Sequence, residues 1–199
     1  MIALALIAAS TAIDAERAFA AMAQRDGQWT AFRATAREDA VIFTPQPATV
    51  QAALKDAPDP RIAIHWWPAE SYVSCDGQMA VNTGPWILPK ASGYFTTVWT
   101  KQADGGWKWV MDGGDALSTP RPLPEKPKVA KASCRGAPPM TPKIAEQGDR
   151  IGAGASPDRT LHYWWRVKPD GARIFEARLW TGRAMRPVVL NAITAPPSP

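Results

Sequence analysis

Tyr94-Phe95-Thr96-Thr97-Val98-Trp99-Thr100-Lys101, then Asp104-Gly105-Gly106, then Trp107-Lys108-Trp109-Val110-Met111: two runs rich in aromatic and β-branched residues meet at a turn whose residues tolerate positive φ. This punctuation predicts an antiparallel hairpin. It recurs at Asp76-Gly77, between Ser71-Tyr72-Val73-Ser74 and Met79-Ala80-Val81, and at Pro169-Asp170-Gly171, between Leu161–Val167 and Ala172–Trp180. Antiparallel sheet is therefore the main component of the expected fold.

Upstream of the hairpins the spacing changes from two to about 3.6. Ala15, Phe19, Met22 and Ala23 share one face of a helix over Asp14–Asp26, and Gly27 is a natural stop. A second short helix presents Trp29, Phe32 and Ala36, and Asp39-Ala40-Val41-Ile42-Phe43 reads as a strand ended by Pro45 and Pro47. One or two further helical turns span Val50–Ala57, and strands are expected over Ile62–Trp67, around Tyr72–Val81 and on to Leu88, over Gly93–Gln102 and over Trp107–Asp112. Helices first and a meander after predict an α+β domain over residues 13–112, with the helices on one face of a curved antiparallel sheet. Within Tyr94–Trp99 both parities carry large side chains, so the second face needs a cover. A homodimer partner, or the chain's own C-terminal segment in a monomer, would supply it.

Residues 113–159 contain Pro120, Pro122, Pro124, Pro127, Pro138, Pro139 and Pro142 and read as a linker or strap. Gly152-Ala153-Gly154-Ala155-Ser156 lies in it and, with Pro157 next and no strand before it, reads as flexible loop rather than a phosphate-binding turn. Residues 160–195 return to strand character as a β-hairpin extension with a third strand over Pro187–Ile193. A lone hairpin carrying Tyr163, Trp164, Trp165, Phe175 and Trp180 cannot hide its aromatic surface, so the extension is expected to dock on the core.

The chain has 199 residues and 10 tryptophans, enough to build a large core and to line a cavity as well. Its net charge of +5 is uneven: residues 1–112 carry 9 basic against 11 acidic side chains, and residues 113–199 carry 14 against 7. The C-terminal basics are dispersed singly, as on solvated strands, so no nucleic-acid partner is expected. Residues 1–12 combine the apolar run Ile2–Ala9 with Ser10-Thr11-Ala12, a signal-peptide pattern that places the mature start near Ile13 and the protein in the periplasm or outside the cell; without export it would be cytoplasmic. No segment is long enough to be an integral membrane span. Cys75 and Cys134 are a disulfide candidate in an exported chain. Two cysteines and two widely separated histidines make no metal site, and no cofactor is expected.

Ala15-Glu16-Arg17-Ala18-Phe19, Glu38-Asp39-Ala40-Val41-Ile42-Phe43-Thr44-Pro45, Asn82-Thr83-Gly84-Pro85-Trp86, Phe95-Thr96-Thr97-Val98-Trp99 and Asp104–Asp112 follow in an order that resembles the nuclear transport factor 2-like superfamily, in particular its bacterial, often exported branch. That superfamily also holds ketosteroid isomerases and polyketide cyclases. The resemblance covers about half the chain and implies a cone-shaped α+β fold whose sheet curls around a pocket, commonly dimerising through the sheet. Catalytic members place an Asp base, a Tyr and a protonated acid in that cavity. No motif here matches those positions, so no catalytic residue is carried over.

Read on their own terms, Asp39, His65, Tyr94 and Asp112 are the candidate acid-base groups. His65 sits mid-strand, Asp39 and Asp112 sit at strand ends, and Tyr94 carries a hydroxyl; each also has a plain structural role in view, as turn, cap or packing residue. Trp29, Phe32, His65, Trp86, Tyr94 and Trp109 are the candidate lining of an apolar pocket. Adjacent tryptophans point to opposite faces of a strand, so Trp66 and Trp67 cannot both line it. The leading expectation is an exported domain that binds a small hydrophobic molecule. The alternatives are an isomerase, cyclase or hydratase working through a cavity acid-base pair, and a dimerising structural module with a filled cone.

Overall fold

The computed structural model describes residues 11–138 and 148–196. In chain order they form α1 (Ala12–Asp26), α2 (Gln28–Thr35), β1 (Ala36–Phe43), β2 (Pro47–Thr49), α3 (Val50–Ala53), β3 (His65–Trp66), β4 (Glu70–Val73), β5 (Met79–Leu88), β6 (Ala91–Lys101), β7 (Trp107–Leu117), β8 (Lys128–Lys131), β9 (Arg150–Ala155), β10 (Leu161–Val167), β11 (Arg173–Trp180) and β12 (Met185–Ile193). The fold is α+β. No helix among the described residues is long and apolar enough to cross a membrane.

Helix α1 starts at a capping box: the Thr11 hydroxyl accepts from the Asp14 N–H at 3.1 Å, and the Asp14 carboxylate accepts from the Thr11 N–H at 3.2 Å. Residues 1–10 of the expected leader lie outside the described residues, but its last two do not. A mature start at Ile13 would delete the Thr11 cap and the Ala12 carbonyl, which accepts from the buried Asn82 side chain at 2.9 Å. Gly27, at φ 108°, separates α1 from α2, whose orphan N–H groups at Trp29 and Thr30 are taken by the Asp59 carboxylate. That carboxylate also accepts from the Thr30 hydroxyl, which holds its pKa below the ordinary range.

The first sheet runs β2-β1-β7-β6-β5-β4-β8, with β3 also paired to β5. It is mixed rather than antiparallel, because β1 pairs with β7 and β4 with β8 in parallel. Those additions come from outside the hairpin series, so their direction is not set by a tight turn. A β-bulge where Val98 opposes Met111 and Trp99 opposes Trp109 makes Val110 the extra residue. It lets Trp109 join Phe95 and Trp99 under the helices while Met111 faces the other side with Val98. The core strand also continues past Asp112 to Leu117, so the expected domain boundary falls inside a strand.

The second sheet has the order β12-β11-β10-β9, and its Leu161, Trp165, Val167 and Phe175 share one apolar cluster with Met79, Val81, Val98 and Met111 of the first. Gly152 and Gly154, read from sequence as flexible loop, stand in β9 opposite Trp165 and Tyr163. A Cβ at Gly152 would lie 2.2 Å from the Trp165 ring and one at Gly154 2.5 Å from the Tyr163 ring, so each glycine is a seat for an aromatic on the neighbouring strand. Trp86 lies over Gly93 in the same way. A Cys75–Cys134 disulfide closes the segment between them, and Asp76 and Asp158 exchange backbone N–H to carboxylate bonds at 2.7 and 3.1 Å across the two layers.

Candidate functional site

Between α1, α2 and the concave face of the first sheet lies a cavity of about 470 Å³. Phe19 of α1, Trp29 and Phe32 of α2, Trp66 of β3, Trp86 of β5 and Phe95 of β6 supply its aromatic wall. Their positions are fixed by edge-to-face contacts, since Phe19 meets both Phe32 and Trp66 with ring centroids 4.8 Å apart. The Trp86 indole N–H donates to the Tyr94 carbonyl at 3.1 Å, which keeps its polar edge satisfied while its ring forms wall.

Asp112 of β7 lines this chamber and is partly buried. Behind it sits Glu16, on the apolar stripe of α1 with Ala12, Ala15, Phe19 and Ala23, and 0% exposed. Glu16 accepts from the Trp66 indole at 2.9 Å, the Trp99 indole at 2.7 Å and the Asn82 amide at 3.2 Å. The Thr97 hydroxyl donates to the Asp112 carboxyl at 2.7 Å. Burial pushes Glu16 up to about 7 against the hydrogen bonds it accepts, and burial pushes Asp112 up to about 8, with the Thr97 bond opposing and the Glu16 charge adding. Glu16 accepts from three N–H donors and Asp112 from one hydroxyl, and burial holds both carboxyls above the ordinary carboxylate range. A neutral carboxylic acid in an apolar chamber donates a hydrogen bond or a proton to a ligand oxygen.

At the mouth, Tyr94, Gly114, Asp115 and Arg173 come together, Arg173 reaching over from β11 of the second sheet. Its guanidinium donates to the Gly114 carbonyl at 2.7 Å and lies 5.2 Å from the Phe43 ring. Burial lowers its pKa, with Asp115 and Tyr94 acting the other way. Arg121 covers the Tyr94 ring at 3.6 Å, and burial raises the Tyr94 phenol.

Of the residues singled out from sequence, Trp29, Phe32, Trp86, Tyr94 and Asp112 line the cavity. Trp109 does not: it is 0% exposed in the core, its indole donating to the Thr35 hydroxyl at 2.9 Å. His65 does not line it either, because Trp66 takes the inward place on the two-residue β3 and leaves His65 exposed, stacked on Trp67. Asp39 does not line the cavity: it is exposed and paired with Arg37 on the surface. Sequence reasoning missed Glu16, Thr97, Asp115 and Arg173. Only Glu16 carried a local signal, a charge four residues from Ala12 and three from Phe19 on the apolar stripe. Compared with family models and with curated proteins, the chain matches none.

Proposed function

We propose that the chain is a nuclear transport factor 2-like domain, exported and monomeric, whose cavity binds one small, mainly apolar molecule. The carrying observation is the aromatic chamber of about 470 Å³, a size suited to a small organic ligand, with Asp112 as the polar group at its inner end. An open chamber argues against a filled cone. The apolar face through which such domains commonly pair is occupied by the chain's own second sheet, which favours a monomer. The Cys75–Cys134 bond suits an oxidising compartment.

A second reading, an enzyme of isomerase, cyclase or hydratase type, is favoured by one feature, the pair of buried carboxyls Glu16 and Asp112, both held above the ordinary carboxylate range by burial. In that reading Asp112 and Tyr94 remain as cavity groups, and Asp39 and His65 drop out. Both readings need the chamber to admit a ligand. Titrating the oxidised full chain with naphthalene carboxamide, followed by tryptophan fluorescence, is expected to saturate at one probe per chain and to fail in Ile42→Trp, which fills the cavity from β1. No saturation, or an unaltered titration in Ile42→Trp, overturns the proposal.

A further inference from the structure

The guanidinium of Arg173 is placed as an anchor rather than as a strut. It lines the cavity, and its hydrogen bond to the Gly114 carbonyl uses one of five N–H donors. Among the described residues no carboxylate lies within ion-pair distance of it. Asp115, the acid beside it at the mouth, accepts from the Ala116 N–H at 2.9 Å. On the far side of Tyr94 a second guanidinium, Arg121, is held by the Thr83 hydroxyl at 3.3 Å and the Asn191 side-chain carbonyl at 2.9 Å, so it adds positive potential without competing for a ligand. Asp115 acts on Arg173 and Glu70 on Arg121, neither acid within ion-pair distance of its arginine. The chamber behind them is aromatic, and its inner end carries an acid, Asp112, that repels a second carboxylate unless it is protonated.

We infer that the occupant is an apolar carboxylic acid, its hydrocarbon or aromatic body in the chamber and its carboxylate at the mouth on Arg173. This rests on the binding function proposed above and specifies its ligand class. A neutral occupant would leave a half-buried guanidinium with unused donors, and an amine would meet it as a like charge. A carboxylate matches the planar fork of Arg173 and brings the opposite charge to it. The anchor comes from the second sheet while the chamber belongs to the first. The C-terminal extension is therefore a part of the binding site as well as a cover.

The test compares naphthalene carboxylate with naphthalene carboxamide, two probes of one shape, on the oxidised full chain at neutral pH and fixed ionic strength. The wild type is expected to bind the carboxylate on the order of tenfold more tightly, as one charge-assisted hydrogen-bonded pair supplies. Arg173→Met should remove that preference and keep carboxamide binding, and Arg173→Lys should keep part of it. Equal affinities in the wild type, or a preference that survives in a folded Arg173→Met, overturn the inference. The wild-type ratio alone decides if Arg173→Met does not fold. Carboxamide binding without any gain for the carboxylate sinks the ligand class and leaves the binding function standing, and binding of neither probe sinks both.

Discussion

Glu16 is the residue on which the interior polar order depends. Its two oxygens receive two indole N–H groups and an amide, so the site is built for an acceptor-only side chain. Glu16→Gln turns one oxygen into an NH₂ that faces existing donors, and is expected to destabilise the fold by about 1–3 kcal/mol. Chemical denaturation of the two proteins checks it. Asp112 behaves differently, because the Thr97 hydroxyl either donates or accepts. Asp112→Asn is expected to cost little stability and to flatten the pH dependence. The sign of that dependence follows from two carboxyls whose folded pKa values, about 7 and about 8, lie above their unfolded ones: the folded state holds extra protons between. Their stabilising contribution is complete below pH about 4 and is lost as pH rises through about 7 and about 8. Asp59 and Asp158, shifted down by hydrogen bonds against the burial that opposes them, act in the opposite sense at lower pH. The melting temperature of the wild type is expected to peak in mildly acidic buffer and fall towards pH 9, with a shallower fall in Asp112→Asn. A maximum above pH 8 contradicts the assignment.

At the scale of elements, what the sequence made legible follows from what acts locally. The three Asp-Gly turns sit where expected because positive φ is a property of the residue itself, as at Gly77, Gly105 and Gly171. The first helix was legible from its apolar stripe and Gly27, and the aromatic wall from Trp29, Phe32 and Trp86 on their elements. Strand β9 was not legible. Gly152, Ala153 and Gly154 carry no strand propensity of their own, and become strand because Trp165 and Tyr163 of β10 need bare backbone beside them. Arg173 was equally hidden, since its role depends on a sheet-to-sheet placement some sixty residues from Gly114. The β9 reading makes a sharp expectation: Gly152→Ala, which puts a methyl 2.2 Å from the Trp165 ring, should destabilise by about 1–3 kcal/mol, against a much smaller effect for Ala153→Ser on the other face. Equal melting temperatures for the two variants would contradict it.

At the scale of the molecule, the two sheets depend on each other. The first exposes Met79, Val81, Val98 and Met111 without the second, and the second has no other surface on which to bury Leu161, Val167 and Phe175. The Cys75–Cys134 bond, with a sequence separation of 59, ties the β4–β5 turn to the segment after β8 and is expected to contribute about 4 kcal/mol by loop closure. The double variant Cys75→Ser, Cys134→Ser should accordingly melt well below the oxidised wild type, and equal melting temperatures would show that packing alone holds the layers. The central claim, a ligand inside the aromatic chamber, is tested most directly by intermolecular nuclear Overhauser effects from bound naphthalene carboxamide. Cross-peaks to the rings of Phe32, Trp66 and Trp86 are the expected result, and cross-peaks confined to the exposed Trp67 and His65 would place the probe outside and contradict the account.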